Sequence, residues 1–162
     1  MKTTKFITAV MAIFAIAFLS TLESCTKDDD NASSGSVTVS KTGLISSEGW
    51  IMTAGSMTFA GQTFDVMDGM DECEKDDILF IKTDNTILMD AGALKCDPTD
   101  PQTESGGTWA FNSDETALIM TEGTDVTELE MTTLSSSTLI LELTEYDSTF
   151  QSEIVMKLTY TH

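Results

Sequence analysis

Apolar and polar residues alternate along most of the chain from Trp50 onward, the pattern of strands that have one buried and one solvated face. The alternation is clearest in residues 138–145 and 152–161, where leucine, isoleucine, methionine or tyrosine takes every second position. No stretch carries a convincing helical period. The pattern therefore predicts an all-β domain.

Turn-forming residues divide this pattern into short segments. Residues 83–85, Thr-Asp-Asn, suit a tight hairpin, Gly61-Gln62 marks another turn, and residues 68–74 are predicted as a turn or a single helical turn. The predicted strands are residues 50–59, 63–67, 77–82, 86–91, 108–112, 117–121, 124–133, 138–145 and 152–161.

The loop at residues 95–107 contains Pro98, Pro101, Gly106 and Gly107, so we predict neither helix nor central strand there. About eight short strands without crossover helices favour an up-and-down barrel or a sandwich, and the short turns favour the barrel. A barrel of eight strands is just wide enough to be filled by its own side chains or to hold one small ligand.

The N-terminus predicts an export signal. Lys2 and Lys5 precede an apolar run at residues 7–19, which is too short for a comfortable membrane span. The following Leu-Glu-Ser-Cys resembles the site at which bacterial lipoproteins are cut and lipidated on cysteine. We therefore expect a lipoprotein signal peptide at residues 1–24 and lipid on Cys25; the alternative is an ordinary secretory signal with an incidental cysteine.

Residues 25–43 are predicted to be a flexible tether, because most of them are polar and too few are bulky to bury apolar surface. The Lys-Asp-Asp-Asp run at residues 27–30 resembles the acidic signal that sends lipoproteins of Bacteroidetes-type bacteria to the outer face of the outer membrane. The alternative is a solvated charge run in a linker. The expected location is therefore the outer membrane, with the domain exposed at the cell surface.

Three cysteines are an odd number for an exported protein. Assigning Cys25 to lipid leaves Cys73 and Cys96, which in an oxidising compartment favour a disulfide over a metal site, because His162 is the only histidine. Closing the segment from 73 to 96 would stabilise the fold by about 3 kcal/mol on the chain-entropy model.

The charge balance limits the possible partners. All eight basic residues are lysine, against 27 acidic residues, and the net charge of −19 argues against nucleic-acid binding. His162 stands at an end expected to be frayed, so a nucleophile with a histidine base is not expected, and we predict neither an enzyme nor a cofactor.

The clustered carboxylates suggest a Ca²⁺ site, for which Asp71, Asp97 and Asp100 are weak candidates. The spacing of these residues fits no EF-hand loop, and the alternative is a solvated acidic rim.

Several short motifs resemble the lipocalin-like (calycin superfamily) domain lipoproteins of Bacteroidetes. They are Gly49-Trp50, the Asp-Glu-Cys-Glu-Lys-Asp-Asp run around Cys73, Lys-Cys-Asp-Pro around Cys96, Gly-Thr-Trp at 107–109 and the closing Leu-Thr-Tyr-Thr. The resemblance covers residues 44–162. It implies an eight-stranded antiparallel barrel with room for a ligand cavity, and no enzyme activity.

The barrel interior is the candidate site, with the outer membrane and a small apolar or amphipathic ligand as the expected partners. The alternatives are a packed core without a ligand, and a scaffold whose acidic loops bind an extracellular protein, a glycan or Ca²⁺. The inward-facing ligand-pocket candidates are Trp50, Met52, Phe80, Trp109, Phe111, Leu129, Met131, Leu141, Met156 and Tyr160.

Overall fold

A computed structural model describes residues 39–162 of the chain. The predicted signal peptide, the lipidation site at Cys25 and most of the predicted tether lie outside the described residues. The helices are α1 (Lys41–Ile45) and α2 (Glu72–Lys75), with a 3₁₀ turn at Met67–Gly69. The strands are β1 (Trp50–Phe59), β2 (Gln62–Asp65), β3 (Ile78–Ile81), β4 (Thr86–Asp90), β5 (Thr103–Phe111), β6 (Ala117–Glu122), β7 (Asp125–Leu134), β8 (Thr138–Asp147) and β9 (Ser152–Thr161).

The strands form one antiparallel sheet that closes on itself through β1 and β9. β9 covers one edge of β1 along most of its length. On the other edge, β2 pairs with the second half of β1 and β3 pairs with Trp50 and Ile51 at its start. Because β2 and β3 share one position in the wall, the nine strands build an eight-stranded closed barrel. The predicted fold class is confirmed.

One end of the barrel, here called the closed end, is covered by α1. Ile45 of this helix and Trp50 at the start of β1 are fully buried. The Trp50 indole Nε1 donates a hydrogen bond of 2.7 Å to the Ile45 carbonyl, and Lys41 Nζ donates to the carbonyl of Glu115 in the β5–β6 turn. These contacts hold the helix across the strand ends. No helix in the described part of the chain is long and apolar enough to cross a membrane.

α1 begins within the predicted tether, so the prediction of a tether up to residue 43 is wrong at its end. The Ser40 hydroxyl accepts a hydrogen bond of 3.0 Å from the Gly43 amide and so caps the helix. Five residues make little more than one turn, which is too short for a helical period to appear in the sequence.

β5 begins at Thr103, inside the predicted loop, and this prediction is corrected. The register between β4 and β5 shifts at Ile87 and Leu88, a bulge in the wall. Gly107 has φ of 90°, and a Cβ there would lie 2.1 Å from the Thr121 carbonyl oxygen. The glycine that predicted a loop instead allows the strand to bend against β6.

The predicted hairpin at residues 83–85 is confirmed. The backbone amide of Asn85 donates a hydrogen bond of 3.0 Å to the Lys82 carbonyl, and Asn85 takes a positive φ of 66°. Together these close a three-residue turn between β3 and β4. The turn predicted at Gly61-Gln62 lies one residue earlier, because Ala60 and Gly61 take the positive φ values.

At the opposite, open end, Cys73 and Cys96 form the predicted disulfide, with 5.2 Å between their Cα atoms. Asp76 adds a second connection, since its Oδ2 accepts hydrogen bonds of 2.7 and 2.9 Å from the amides of Ala93 and Leu94. We call α2, Asp76 and residues 92–96 the rim clasp. It fixes the excursion between β2 and β3 to the loop that leads into β5.

Candidate functional site

A cavity of about 200 Å³ opens from the barrel interior toward the rim clasp. Apolar side chains make up most of its wall, including four thioethers, and two carboxylates stand in it. Its lining residues are Met52, Met70, Glu74, Asp77, Leu79, Met89, Met120, Leu129, Leu141 and Tyr160.

Strand register explains why these side chains converge. Met52 is directly paired with Tyr160, and Leu79 with Met89, so each pair lies on one face of the sheet. Side chains two positions apart along a strand share a face. The interior of the barrel therefore receives Leu79 and its neighbour Ile81, not the residue between them.

The closed half of the barrel is filled. Trp109 is nearly buried, its Nε1 donates a hydrogen bond of 2.8 Å to the Lys82 carbonyl, and its ring meets Phe111 edge to face at 5.2 Å. This packed layer forms the floor beneath the cavity. The two predictions for the interior, a packed core and a pocket, therefore describe two halves of the same barrel.

Ten residues were predicted to line a pocket, and the structure brings four of them to the cavity: Met52, Leu129, Leu141 and Tyr160. Four others belong to the core cluster or pack against it: Trp50, Trp109, Phe111 and Met131. Met156 pairs with Met57 and Leu143 and does not line the cavity.

Phe80 lies on the outer face, so its assignment to the pocket is wrong. It pairs with Leu88, while Leu79 and Ile81 on either side of it are buried in the core cluster. Its ring covers Gly49, where an added Cβ would come within 2.8 Å of the Phe80 Cε1. All four residues of this strand are apolar, so its sequence does not indicate which face points into the barrel.

Sequence analysis missed the part of the lining that comes from outside the barrel wall. Met70 follows the 3₁₀ turn, Glu74 lies in α2, and Asp77 precedes β3. All three belong to the excursion between β2 and β3, which the disulfide holds at the mouth of the cavity. The predicted disulfide was the one signal that could have placed this segment over the opening.

The mouth of the cavity is electrostatically negative. Partial burial raises the pKa of the Asp77 carboxyl, and the nearby carboxylates of Asp76, Glu74 and Asp90 raise it further. Glu74 is oriented by the helix itself, because its Oε2 accepts a hydrogen bond of 2.7 Å from the Asp71 amide. The cavity lining includes no lysine or histidine.

Tyr160 supplies a third polar group to the cavity lining. Burial raises the pKa of its phenol to about 12, so the hydroxyl is neutral at physiological pH. Within residues 39–162 this hydroxyl forms no hydrogen bond to another group of the protein, although the side chain is largely buried. It is therefore available as a donor or acceptor for a bound molecule.

Two of the three Ca²⁺ candidates, Asp71 and Asp97, support local structure through their side chains, and Asp100 does so through its backbone carbonyl. Asp71 caps α2 in a capping box. Asp97 accepts 2.8 Å hydrogen bonds from the Thr99 amide and hydroxyl, which lower the pKa of its carboxyl. The Asp100 carbonyl accepts from Lys95 Nζ at 2.9 Å. Among residues 39–162, no group of three or more histidine, cysteine, aspartate or glutamate side chains is placed to hold a metal ion.

The only histidine is at the closed end, away from the cavity. Its ring stacks on Trp50 with 3.9 Å between centroids, and Nδ1 of His162 donates to the Gly49 carbonyl at 3.0 Å. The end of the domain is therefore tied down rather than frayed as expected.

A wider depression of about 420 Å³ lies over β6, β7 and β8 beside the β5–β6 turn. Glu128, Glu130 and Glu142 contribute to its lining together with polar residues. It is shallow and mostly polar, so it offers a ligand little apolar burial. The smaller cavity in the barrel is the better candidate despite its size.

No family model and no curated protein matches this chain. The function therefore has to be argued from the barrel, its cavity and the N-terminal sequence.

Proposed function

We propose that this protein is an outer-membrane lipoprotein, displayed at the cell surface, whose lipocalin-like barrel binds one small apolar or amphipathic molecule. The observation that supports the binding role is the apolar cavity at the open end of an otherwise filled barrel. An eight-stranded barrel has room for one such ligand. The role is binding rather than catalysis.

The size of the cavity limits the ligand. Drug-sized molecules occupy pockets of roughly 300–1,000 Å³, whereas this cavity measures about 200 Å³. With a share of about 30 Å³ for each water-sized group, there is room for roughly six or seven such groups. The ligand is therefore either small or inserts only a short apolar tail.

The lining suits a variable apolar tail. Met52, Met70, Met89 and Met120 carry unbranched thioethers, which adapt to irregular shapes. Burial of each methylene contributes about 0.8 kcal/mol, so a tail of about six carbons gains roughly 5 kcal/mol before the costs of association. Affinity beyond the millimolar range then requires contacts at the rim.

The N-terminal sequence supports the proposed location. A basic start, an apolar run at residues 7–19 and Cys25 at the cleavage position fit a lipoprotein signal. The Cys73–Cys96 disulfide is typical of a compartment outside the cytosol. Two or more acyl chains on Cys25 would anchor the protein stably, where a single chain would not.

The binding role is tested by filling the cavity. Leu129→Trp places a larger side chain in the space, whereas Val126→Trp, on the same strand at a position that is 65% exposed, does not. We expect 1-hexanol to shift the NMR signals of the cavity methionine methyl groups in the unmodified protein and in Val126→Trp. In Leu129→Trp the affinity should fall at least tenfold.

Thermal unfolding of both variants establishes that each retains the fold. The binding role is wrong if 1-hexanol shifts no cavity methionine in the unmodified protein, or if the two tryptophan variants bind it equally well.

The location is tested at the predicted lipidation site. Cys25→Ala removes the acylated thiol, so the protein should move from the membrane fraction to the soluble fraction of the producing bacterium. The matched control, Ser24→Ala, keeps a small residue before the cysteine and should stay in the membrane fraction. Membrane attachment of Cys25→Ala would refute the lipoprotein proposal.

A further inference from the structure

We propose that the ligand carries a positively charged head group, an amine or another organic cation, held by Glu74 and Asp77 while its short apolar tail fills the cavity. The inference rests on the proposed binding function and names the chemical class of the ligand. It goes beyond apolar burial, because the two carboxylates select one type of amphiphile.

The carboxylates stand at the mouth of the cavity. Asp77 immediately precedes β3 and follows the rim clasp, and Glu74 lies three residues earlier in α2; both side chains line the cavity. The disulfide through Cys73 fixes this helix against the rim. A head group at the mouth therefore meets two carboxylates in positions that the fold has already set.

The tail of the ligand would point the other way. Tyr160 pairs with Met52 on one side and with the fully buried Leu139 on the other, so its level is close to the packed floor. Apart from Tyr160 and the two carboxylates, the lining consists of leucine and methionine side chains. The cavity thus combines a mostly apolar lining with two carboxylates, which matches a molecule with one charged end.

Partial desolvation of Asp77 is the reason that the charge of a ligand matters here. Asp77 has no lysine or histidine beside it in the cavity lining, and Asp76, Glu74 and Asp90 surround it with like charge. A neutral ligand would remove water from these carboxylates without replacing its hydrogen bonds, which is costly. A cation offers charge-assisted hydrogen bonds in exchange, while an anion adds repulsion.

The electrostatic potential of the whole protein also favours a cationic ligand. The net charge of the chain is −19, and carboxylates are frequent on the open rim. Of the rim lysines, Lys75 is paired with Glu72 at 2.8 Å and Lys95 Nζ donates to the Asp100 carbonyl. Approach of a cation to the mouth is therefore favoured, most strongly at low ionic strength.

Three ligands of equal chain length test the inference: n-hexylamine as its ammonium ion, neutral 1-hexanol, and hexanoate. Their dissociation constants are measured by NMR on the methionine methyl groups of the purified protein at pH 7. We expect the ammonium to bind at least ten times more tightly than the alcohol, and hexanoate to bind more weakly than the alcohol.

The charge preference should depend on the two acids at the mouth. In Glu74→Gln/Asp77→Asn the ratio of ammonium to alcohol affinity should fall close to one, while 1-hexanol binds at least as well as before. Glu48→Gln/Asp114→Asn removes two exposed charges at the closed end and should keep the ratio.

Equal binding of the ammonium and the alcohol by the unmodified protein, or a preference that persists in the variant without the mouth acids, would overturn the cationic ligand and leave the apolar site intact. If none of the three molecules binds, the binding function itself fails.

Discussion

Asp77 lies in surroundings that disfavour its charged form. Its charge is partly desolvated at the cavity mouth and faces the carboxylates of Asp76, Glu74 and Asp90. The charged Asp77 side chain therefore lowers the stability of the folded protein. Such placement is typical of residues kept for binding, since sites hold groups in environments that folding alone would avoid.

Asp77→Asn should stabilise the protein at pH 7. The folded-state pKa of Asp77 is raised above 3.8, so its contribution to stability is present below that pH and lost as the pH rises through the folded-state value. Removing the charge should gain about 0.5 kcal/mol at pH 7, a usual size for a partly exposed group. The gain should disappear as the pH falls below about 4.

Urea unfolding at pH 7, 5 and 3.5 measures this difference. Asp114→Asn, exposed in the β5–β6 turn, is the control and should change the midpoint little at any of these pH values. A lower midpoint for Asp77→Asn than for the unmodified protein at pH 7 would contradict the prediction.

Residue by residue, sequence pattern predicted the interior well where strands are long and alternate. Leu141 and Tyr160 lie in such strands and face inward as expected. β3 has only four residues, all of them apolar, so alternation alone could not show whether Leu79 or Phe80 faces the barrel interior. The outward position of Phe80 depends on the missing side chain of Gly49 beneath it, a contact between residues 31 apart in the sequence.

At the scale of elements, the rim clasp supplies the contacts that hold the segment between β2 and β3, which lies outside the barrel wall. The segment between β2 and β3 contains only a 3₁₀ turn and a four-residue helix, and none of its residues from 67 to 75 is fully buried. Such short helices do not persist alone. The disulfide and the two hydrogen bonds to Asp76 Oδ2 hold them in place.

Cys73→Ser/Cys96→Ser should therefore destabilise the domain by about 3 kcal/mol, the value expected for a closed loop of this length. Because the β strands do not depend on the bond, the far-UV circular dichroism of the variant should remain that of the folded protein. Urea unfolding gives the free-energy difference. The unmodified protein in excess reductant should show the same loss, and an unchanged midpoint in both cases would contradict a stabilising clasp.

Most elements were predictable because alternation and turn residues coincide along the chain. α1 was not, since a five-residue helix capped by Ser40 has no period to detect. Its position depends on the Trp50 indole, which donates a hydrogen bond to the carbonyl of the last helical residue, Ile45. The early start of β5 was hidden by the two glycines that mark its bulge. Both misses involve contacts with distant parts of the chain, which a local pattern cannot contain.

At the scale of the whole molecule, burial is uneven along the barrel axis. The fully buried side chains, among them Trp50, Ile81, Leu118 and Leu139, are concentrated toward the closed end, whereas every residue of β2 is exposed. A barrel with its packing at one end can keep a cavity at the other without losing its core. The packed floor and the cavity are in this way separated along one axis.

Amide hydrogen exchange should report this gradient. We expect the slowest exchange in the parts of β3, β6 and β8 that surround the packed floor, and exchange at least a hundredfold faster in β2 and in residues 148–151 at the tip of the β8–β9 hairpin. Mass spectrometry of peptides from the native protein measures both regions. Equal protection of β2 and of the Leu139–Leu141 segment would contradict the predicted gradient of exchange rates along the barrel axis.

The pairing of β1 with β9 also determines when this barrel can be completed. Ile51 meets Thr161 across the seam, so closure joins parts of the chain separated by more than a hundred residues. The other strand pairs of the wall join close neighbours in sequence and can form early, but this one must overcome the entropy of a long loop. A chain that emerges from its N-terminus therefore carries an unpaired β1 edge until β9 arrives, and during that interval the nascent barrel is most exposed to aggregation.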